Sequence, residues 1–334
     1  MNNDLRTCVG ELPVCDVHEH HMPELLGNPD VGLLALLQQS YAGWTQARPY
    51  PLPGETRSAD PMLAAVGRGS WEAIARFVEH SGSNSCVRSL LGALTELYNL
   101  GEEGITPGNW EQLDADIRRR HSSPTWRDEV LSWARIERIV TDPFSNPLLD
   151  ARDALGERYC SVFRINALAF GWHPESLDHN GNSAHRFAQQ LGHSVTTFDD
   201  YLALLEVVVD TLALRHQVGL KNALAYDRSV NFDDVDEALA CRAWGKQFPA
   251  PLERKAFGDV VVDRLCRLAG ERDVPFQMHL GSALIRGSHP LQAAGLIERH
   301  PNTRFLLMHL AFPWSRDLLG MAFVYRNIWL DLTW

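Results

Sequence analysis

The sequence predicts an α/β chain folded as a (β/α)8 barrel, and three observations carry that expectation. Short β-rich runs alternate with amphipathic helical stretches along the chain; polar residues close several of them, Thr141, His279 and His309 among these; and seven such runs can be counted, which suits a barrel better than a simple sandwich. Leu12 to Val17 is the first run, Ile136 to Thr141 the second, Tyr159 to Ala169 the third and Val218 to Ala225 the fourth. Val274 to His279, Thr303 to His309 and Asn327 to Leu332 follow. Between them, Asp199 to His216 places Leu202, Leu205, Val208, Val209 and Leu212 at helical spacing, and Phe257 to Leu268 does the same with Val261, Leu265 and Leu268. Strand and helix in alternation imply parallel pairing through right-handed crossovers.

Two departures from an even barrel stand out. From Met22 to Ser132 more than a hundred residues separate the first two runs, with helical signals in Met62 to His80 and Ser85 to Leu100 and a Pro/Gly-rich link, RPYPLPG, at Arg48 to Gly54. A structureless loop of that length is improbable in a compact domain. The expectation is therefore one barrel domain over residues 1–334 with a helical insertion at 22–132, lying over the catalytic mouth as a partial lid. The second departure is at the end, where IWLDLTW stops inside or just after the seventh run and no eighth follows. Seven strands do not close a barrel that needs eight. The reading is of a fragment whose eighth strand lies beyond Trp334.

Composition narrows the function. With 334 residues and 45% apolar content the chain can bury a sizeable core. A formal charge of −11, with no basic run longer than Arg118 to Arg120, gives nucleic acid no electrostatic footprint. The six cysteines are scattered without a C-x-x-C pair, against a disulfide framework and a thiolate cage. No signal peptide or apolar run of membrane-spanning length is evident, so the expected setting is the cytoplasm, with a small-molecule substrate as partner and self-association left open.

The chemistry concentrates in VCDVHEHHMP, Val14 to Pro23. On a strand, residues i and i+2 share a face, so His18 and His20 project together while Glu19 and His21 point away. The fifth run ends FQMHL at His279 and the sixth FLLMHL at His309. Carboxyl ends of barrel strands are where catalytic groups gather. Zinc takes neutral imidazole nitrogens and, in catalytic sites, three protein ligands with one position open, a set that His18, His20 and His279 could supply. A single histidine at a strand end is more often merely hydrogen-bonded; the coincidence of four makes the pattern specific. The other histidines, His179 among them, read as solvated. Lys221 and Arg164, at the ends of the fourth and third runs, are candidate contacts for an anionic substrate such as a carboxylate, against packing on the wall or a structural ion pair. Arg228, with Tyr226 and Asp227, is a further candidate contact.

CDVHEHH, GLKNALAYDRS, PFQMHLG and RFLLMHLAFPWSRDLLGMAFVYRNIWLDLTW together resemble the amidohydrolase superfamily, in the amidohydrolase-related branch with the uronate isomerase-like proteins and the amidohydrolase-like domain fused to glutamine synthetase. The resemblance implies a divalent ion, zinc by preference, on His18, His20 and His279, and makes His309 the catalytic side chain that polarises substrate or supports the ligands. It also implies an aspartate ending an eighth strand, and Asp331, in the seventh run, does not fill that place. Hydrolysis of an amide, lactone or ester follows as the expected activity. An isomerase or decarboxylase at the same site and a non-catalytic sensing or scaffold domain are the alternatives.

Overall fold

The computed structural model describes residues 3–21, 23, 27–28, 30–40 and 69–333. The link at Arg48 to Gly54 and the start of the helical signal at Met62 lie outside those residues. Two compact units divide the chain, Met1–Pro23 with Arg135–Trp334, and Glu24–Ala134. Every described regular element of the inserted unit is helical: Leu33–Gln39, Trp71–Ser81, Ser85–Tyr98, Trp110–His121 and Trp126–Trp133. Their shared face buries Leu33, Leu37, Ile74, Phe77, Val87, Leu94, Leu113 and Ile117. Buried Asp114 fastens it, accepting from Leu33 N and from Arg118 Nε, each at 2.8 Å.

The other unit is one sheet of seven parallel strands in sequence order. They are β1 (Val14–Glu19), β2 (Ile136–Thr141), β3 (Tyr159–Arg164), β4 (Gln217–Asn222), β5 (Phe276–Met278), β6 (Phe305–Leu307) and β7 (Ile328–Leu330). The third run is shorter than its β-rich composition suggests. After Ile165 N bonds Lys221 O at 2.9 Å the chain turns into a short helix, Asn166–Ala169, and the Asn166 side chain accepts from Ala223 N at 3.0 Å instead of the ladder continuing.

Outward side chains of the strands, Phe163, Leu220, Phe276 and Phe305, are fully buried with Tyr201 and Leu205 of the helix Phe198–Asp210 and Phe257, Val261 and Leu265 of the helix Pro251–Glu271. Each such side chain contributes roughly 1.5–3 kcal/mol on leaving water. The first of these helices starts on a capping box, Thr197 with Asp200, as its TTFDD sequence calls for.

Inward-facing positions are polar. Arg164, Lys221 and Gln277 are register neighbours across β3, β4 and β5, and all three are buried. Gln277 Nε2 donates to Val17 O at 3.4 Å, which brings β5 over β1 and curls the sheet into an incomplete barrel. Among the described residues β1 and β7 are its edges and no eighth strand joins them. No described helix is long and apolar enough to cross a membrane.

Candidate metal centre

The polar groups of the inner face collect at the carboxyl ends of the strands: His18 and His20 at β1, Asp142 after β2, Arg164 at β3, Lys221 in β4, His279 after β5, His309 after β6 and Asp331 after β7. His18 and His20 do share a side, their ring centroids 4.7 Å apart. Glu19 and His21 point away together, paired at 3.2 Å. His20 Nδ1 lies 3.1 Å from Asp142 O; donating its proton there leaves Nε2 with a free lone pair. His20 stays exposed, whereas His18 is buried.

Asp142 is wholly inaccessible to solvent and is gripped by the Arg164 fork, with Nε donating to Oδ1 at 3.1 Å and the second arm to Oδ2. Burial alone would raise the Asp142 pKa, but the Arg164 charge and its hydrogen bonds outweigh it and bring the group down to about 2. Arg164 thus meets a structural partner across the lumen wall.

His309 occupies a strained turn. His309, Leu310 and Ala311 all have left-handed backbone, with φ of 61°, 47° and 47°. Asp331 brackets that turn: its Oδ2 accepts from His309 N at 3.2 Å and its carbonyl accepts from Leu310 N at 2.8 Å. The result sets the His309 ring 5.4 Å from His18 and 4.5 Å from His279. Burial first, and then the nearby Lys221 charge, lower His309 to about 4 and hold His18 and His279 far below the ordinary imidazole range. At neutral pH these three rings are uncharged, which is the form that binds metal.

Three buried nitrogens in this cluster have no hydrogen-bond partner: His18 Nδ1, His279 Nε2 and Lys221 Nζ. An orphaned buried polar group costs about 1–3 kcal/mol, and these three lie together at the strand ends. Neutral imidazole nitrogens suit a divalent ion. Ligand atoms of His18, His20 and Asp142 all lie within 4.8 Å of one another. The His309 ring lies between those of His18 and His279 in contact with both, and the His279 ring is tilted against Tyr226 at 4.5 Å.

Lys221 is only 1% exposed, and desolvation, partly offset by Asp142, lowers it to about 8. Arg228 lies apart from the cluster. Its donors go to Ser229 O, Lys255 O and Asn231 O, each at 3.1 Å, and to the buried Asp259 on the helix behind β4. Sequence reasoning passed over Asp142, although the rule that found the histidines, a polar residue closing a β-rich run, applies equally to IVTD. His179 is exposed, in keeping with its reading as a solvated residue, and it also has a partner. His179 Nδ1 pairs with Asp227 at 2.8 Å, and Asp227 accepts from Asn166 Nδ2 at 2.8 Å.

Residues 234–334 match the family model described as Amidohydrolase. This match bears out the resemblance read from the motifs, and it spans His279, His309 and Asp331. Protein fluG of Emericella nidulans is 26% identical over 144 residues, 38% of this chain and 17% of that protein, so the matched stretch spans under a fifth of the relative's length. Among solved structures, a uronate isomerase from Thermotoga maritima aligns with a TM-score of 0.67 at 14% identity, covering 97% of this chain and 76% of its own. Glucuronate isomerase from Caulobacter crescentus gives 0.65 at 15%, covering 99% and 75%. A Lactobacillus casei protein described as a metal-dependent hydrolase gives 0.61 at 13%, covering 98% and 75%. At these identities the structures establish the fold.

Proposed function

We propose that this chain carries the metal centre of an amidohydrolase-type enzyme that hydrolyses an amide, lactone or ester bond of a small molecule. The observation that carries the reading is the pair of buried, unpartnered imidazole nitrogens, His18 Nδ1 and His279 Nε2, in a cluster of neutral histidines at the strand ends. Zinc is the ion that best suits these donors; when bound it supplies Lewis acidity toward a carbonyl and makes water acidic enough to ionise near neutral pH.

The chain's own residues would do the rest. His18 and His20 hold the ion, with His279 beside them. His309 Nδ1 lies 3.4 Å from Thr333 O; donating there turns Nε2 into an acceptor, which suits taking a proton from water better than donating to an oxyanion. Lys221, buried and without a partner, would receive a negative group of the substrate such as a carboxylate.

A second reading, isomerisation of a sugar acid at the same site, draws support from the two isomerases among the structural neighbours and from the same lysine. One experiment separates them. Metal content of the purified chain is measured, and turnover is then assayed on esters, lactones, amides and uronates after chelation and after zinc is returned. Zinc-dependent release of an acid supports the hydrolase, and zinc-dependent interconversion of a uronate without cleavage moves the assignment to the isomerase. Failure to retain any ion overturns both.

A further inference from the structure

The inference here rests on the metal reading just given and concerns the part of the substrate that lies away from the ion. We propose that His179 is a substrate-binding residue whose Nε2 accepts from a hydroxyl group there, and that Asp227 is the positioning residue that presents it.

Placement is where this starts. His179 lies in the loop after β3 and Asp227 in the loop after β4, on the face of the sheet where the histidines collect. The Tyr226 ring touches both groups, its centroid 4.5 Å from that of His279 and 5.8 Å from that of His179. One aromatic ring therefore spans from the metal cluster to His179, a reach within the length of a sugar acid.

The imidazole is also fixed. Its Nδ1 lies 2.8 and 2.9 Å from the two carboxylate oxygens of Asp227. Asn166, fully buried, donates from Nδ2 to Asp227 Oδ2 at 2.8 Å and accepts from Ala223 N at 3.0 Å, which holds the carboxylate to the end of β4. The loop bearing His179 is pinned in turn. Buried Asp178 accepts from Asn180 N and Asn182 N, each at 2.9 Å, and Asn182 Nδ2 donates to Phe144 O after β2 at 2.8 Å. The segment DHNGN thus ties the loop after β2 to the loop after β4, across the end of β3.

An ionised carboxylate only accepts, so Nδ1 carries the proton and Nε2 of the neutral ring is an acceptor. That acceptor now takes Asn180 Nδ2 at 3.0 Å. Asn180 is the adjacent, partly exposed side chain, so a substrate hydroxyl can replace its amide while the amide turns to water. A partly exposed Asp–His pair adds little to stability by itself. Backing it with a buried asparagine does something stability does not need: it settles which nitrogen is presented, as the carboxylate partners of working imidazoles do. With Lys221 receiving a carboxylate, His179 gives the site a second polar contact further along the same substrate.

The test uses the zinc-loaded 334-residue chain at pH 8, where an ordinary imidazole is neutral. Calorimetric titrations compare D-gluconate with hexanoate, acids of equal carbon number that differ in their hydroxyls, and nitrogen NMR of histidine-labelled protein reads the ring. Wild type should bind gluconate more tightly than hexanoate, and gluconate should move the His179 Nε2 resonance. His179→Asn keeps a donor for Asp227 where Nδ1 stood and has nothing where Nε2 stood. It should melt like wild type, bind gluconate about 3- to 10-fold more weakly and leave hexanoate unchanged. Asp227→Asn, whose amide can donate to Nδ1, should turn the free ring to the Nε2–H tautomer; a ring that stays Nδ1–H removes the positioning role from Asp227. Equal wild-type affinity for the two acids, binding of neither, a Nε2 signal that ignores gluconate, or a His179→Asn variant that keeps gluconate or loses both acids alike overturns the inference while zinc retention upholds the metal site. A wild-type chain that retains no zinc overturns the metal reading and this inference with it.

Discussion

An ammonium group buried without a hydrogen-bond partner weakens the fold that holds it, and Lys221 is in that position. Its folded pKa of about 8 lies below the ordinary lysine value of ~10.4, so below pH 8 folding keeps a proton on a group that prefers water. Stability should rise with pH between those two values as the unfolded chain alone remains protonated. Lys221→Met should therefore stabilise the protein at pH 7 by about 2 kcal/mol, a gain that fades above pH 10; denaturant titrations at both pH values check it. Asp142 has the opposite sign. Its pKa of about 2 lies below the ordinary carboxylate value, so its contribution is complete above pH ~4 and disappears as pH falls toward 2. Arg164→Ala should cost about 3–5 kcal/mol at pH 7 because Asp142 is then buried alone. A loss under 1 kcal/mol in urea would show that water reaches the carboxylate.

The turn after β6 shows how one element sets the position of a functional ring. Three successive left-handed residues cost roughly 1–2 kcal/mol each, and the bonds from Asp331 to His309 N and Leu310 N oppose that cost. Asp331→Ala should destabilise by about 1–3 kcal/mol and let the His309 ring move, visible as a shifted imidazole resonance. Gly281, at φ 80°, lies so close to this turn that an added Cβ would stand 2.3 Å from Phe312 O. Gly281→Ala should therefore cost more than the roughly 1 kcal/mol of a simple backbone penalty, and thermal melts will show by how much. The strand ends were legible in the sequence because alternating strand and helix, plus one rule about barrel mouths, placed His18, His20, His279, Arg164 and Lys221 together. The turn was not. HLA contains no glycine or asparagine to announce positive φ, and its bracket, Asp331, comes 22 residues later. Arg228 was misleading for the same reason: its partner Asp259 lies 31 residues on, upon a helix whose periodicity says nothing of which loop it faces.

At the scale of the molecule, the sheet has two edges among the described residues, and apolar side chains sit on both edge strands: Val14 and Val17 on β1, Trp329 on β7. Exposed, unpaired edges of this kind recruit other strands. The 334-residue chain in isolation should scatter light increasingly with concentration, and Trp329→Lys should reduce that scattering without changing zinc affinity. Concentration-independent scattering from the wild-type chain would show the edges to be covered. The pairing of β1 with β2 across the Glu24–Ala134 unit also sets an order of events during synthesis. The strand bearing His18 is made first, yet its neighbour leaves the ribosome more than a hundred residues later, a wait on the order of 5–20 s at ordinary elongation rates. During that interval the described helices of the inserted unit already have one another's apolar faces, while β1 lacks β2. The nascent chain thus carries those helices behind an unmatched strand, before any histidine has met another from a different strand.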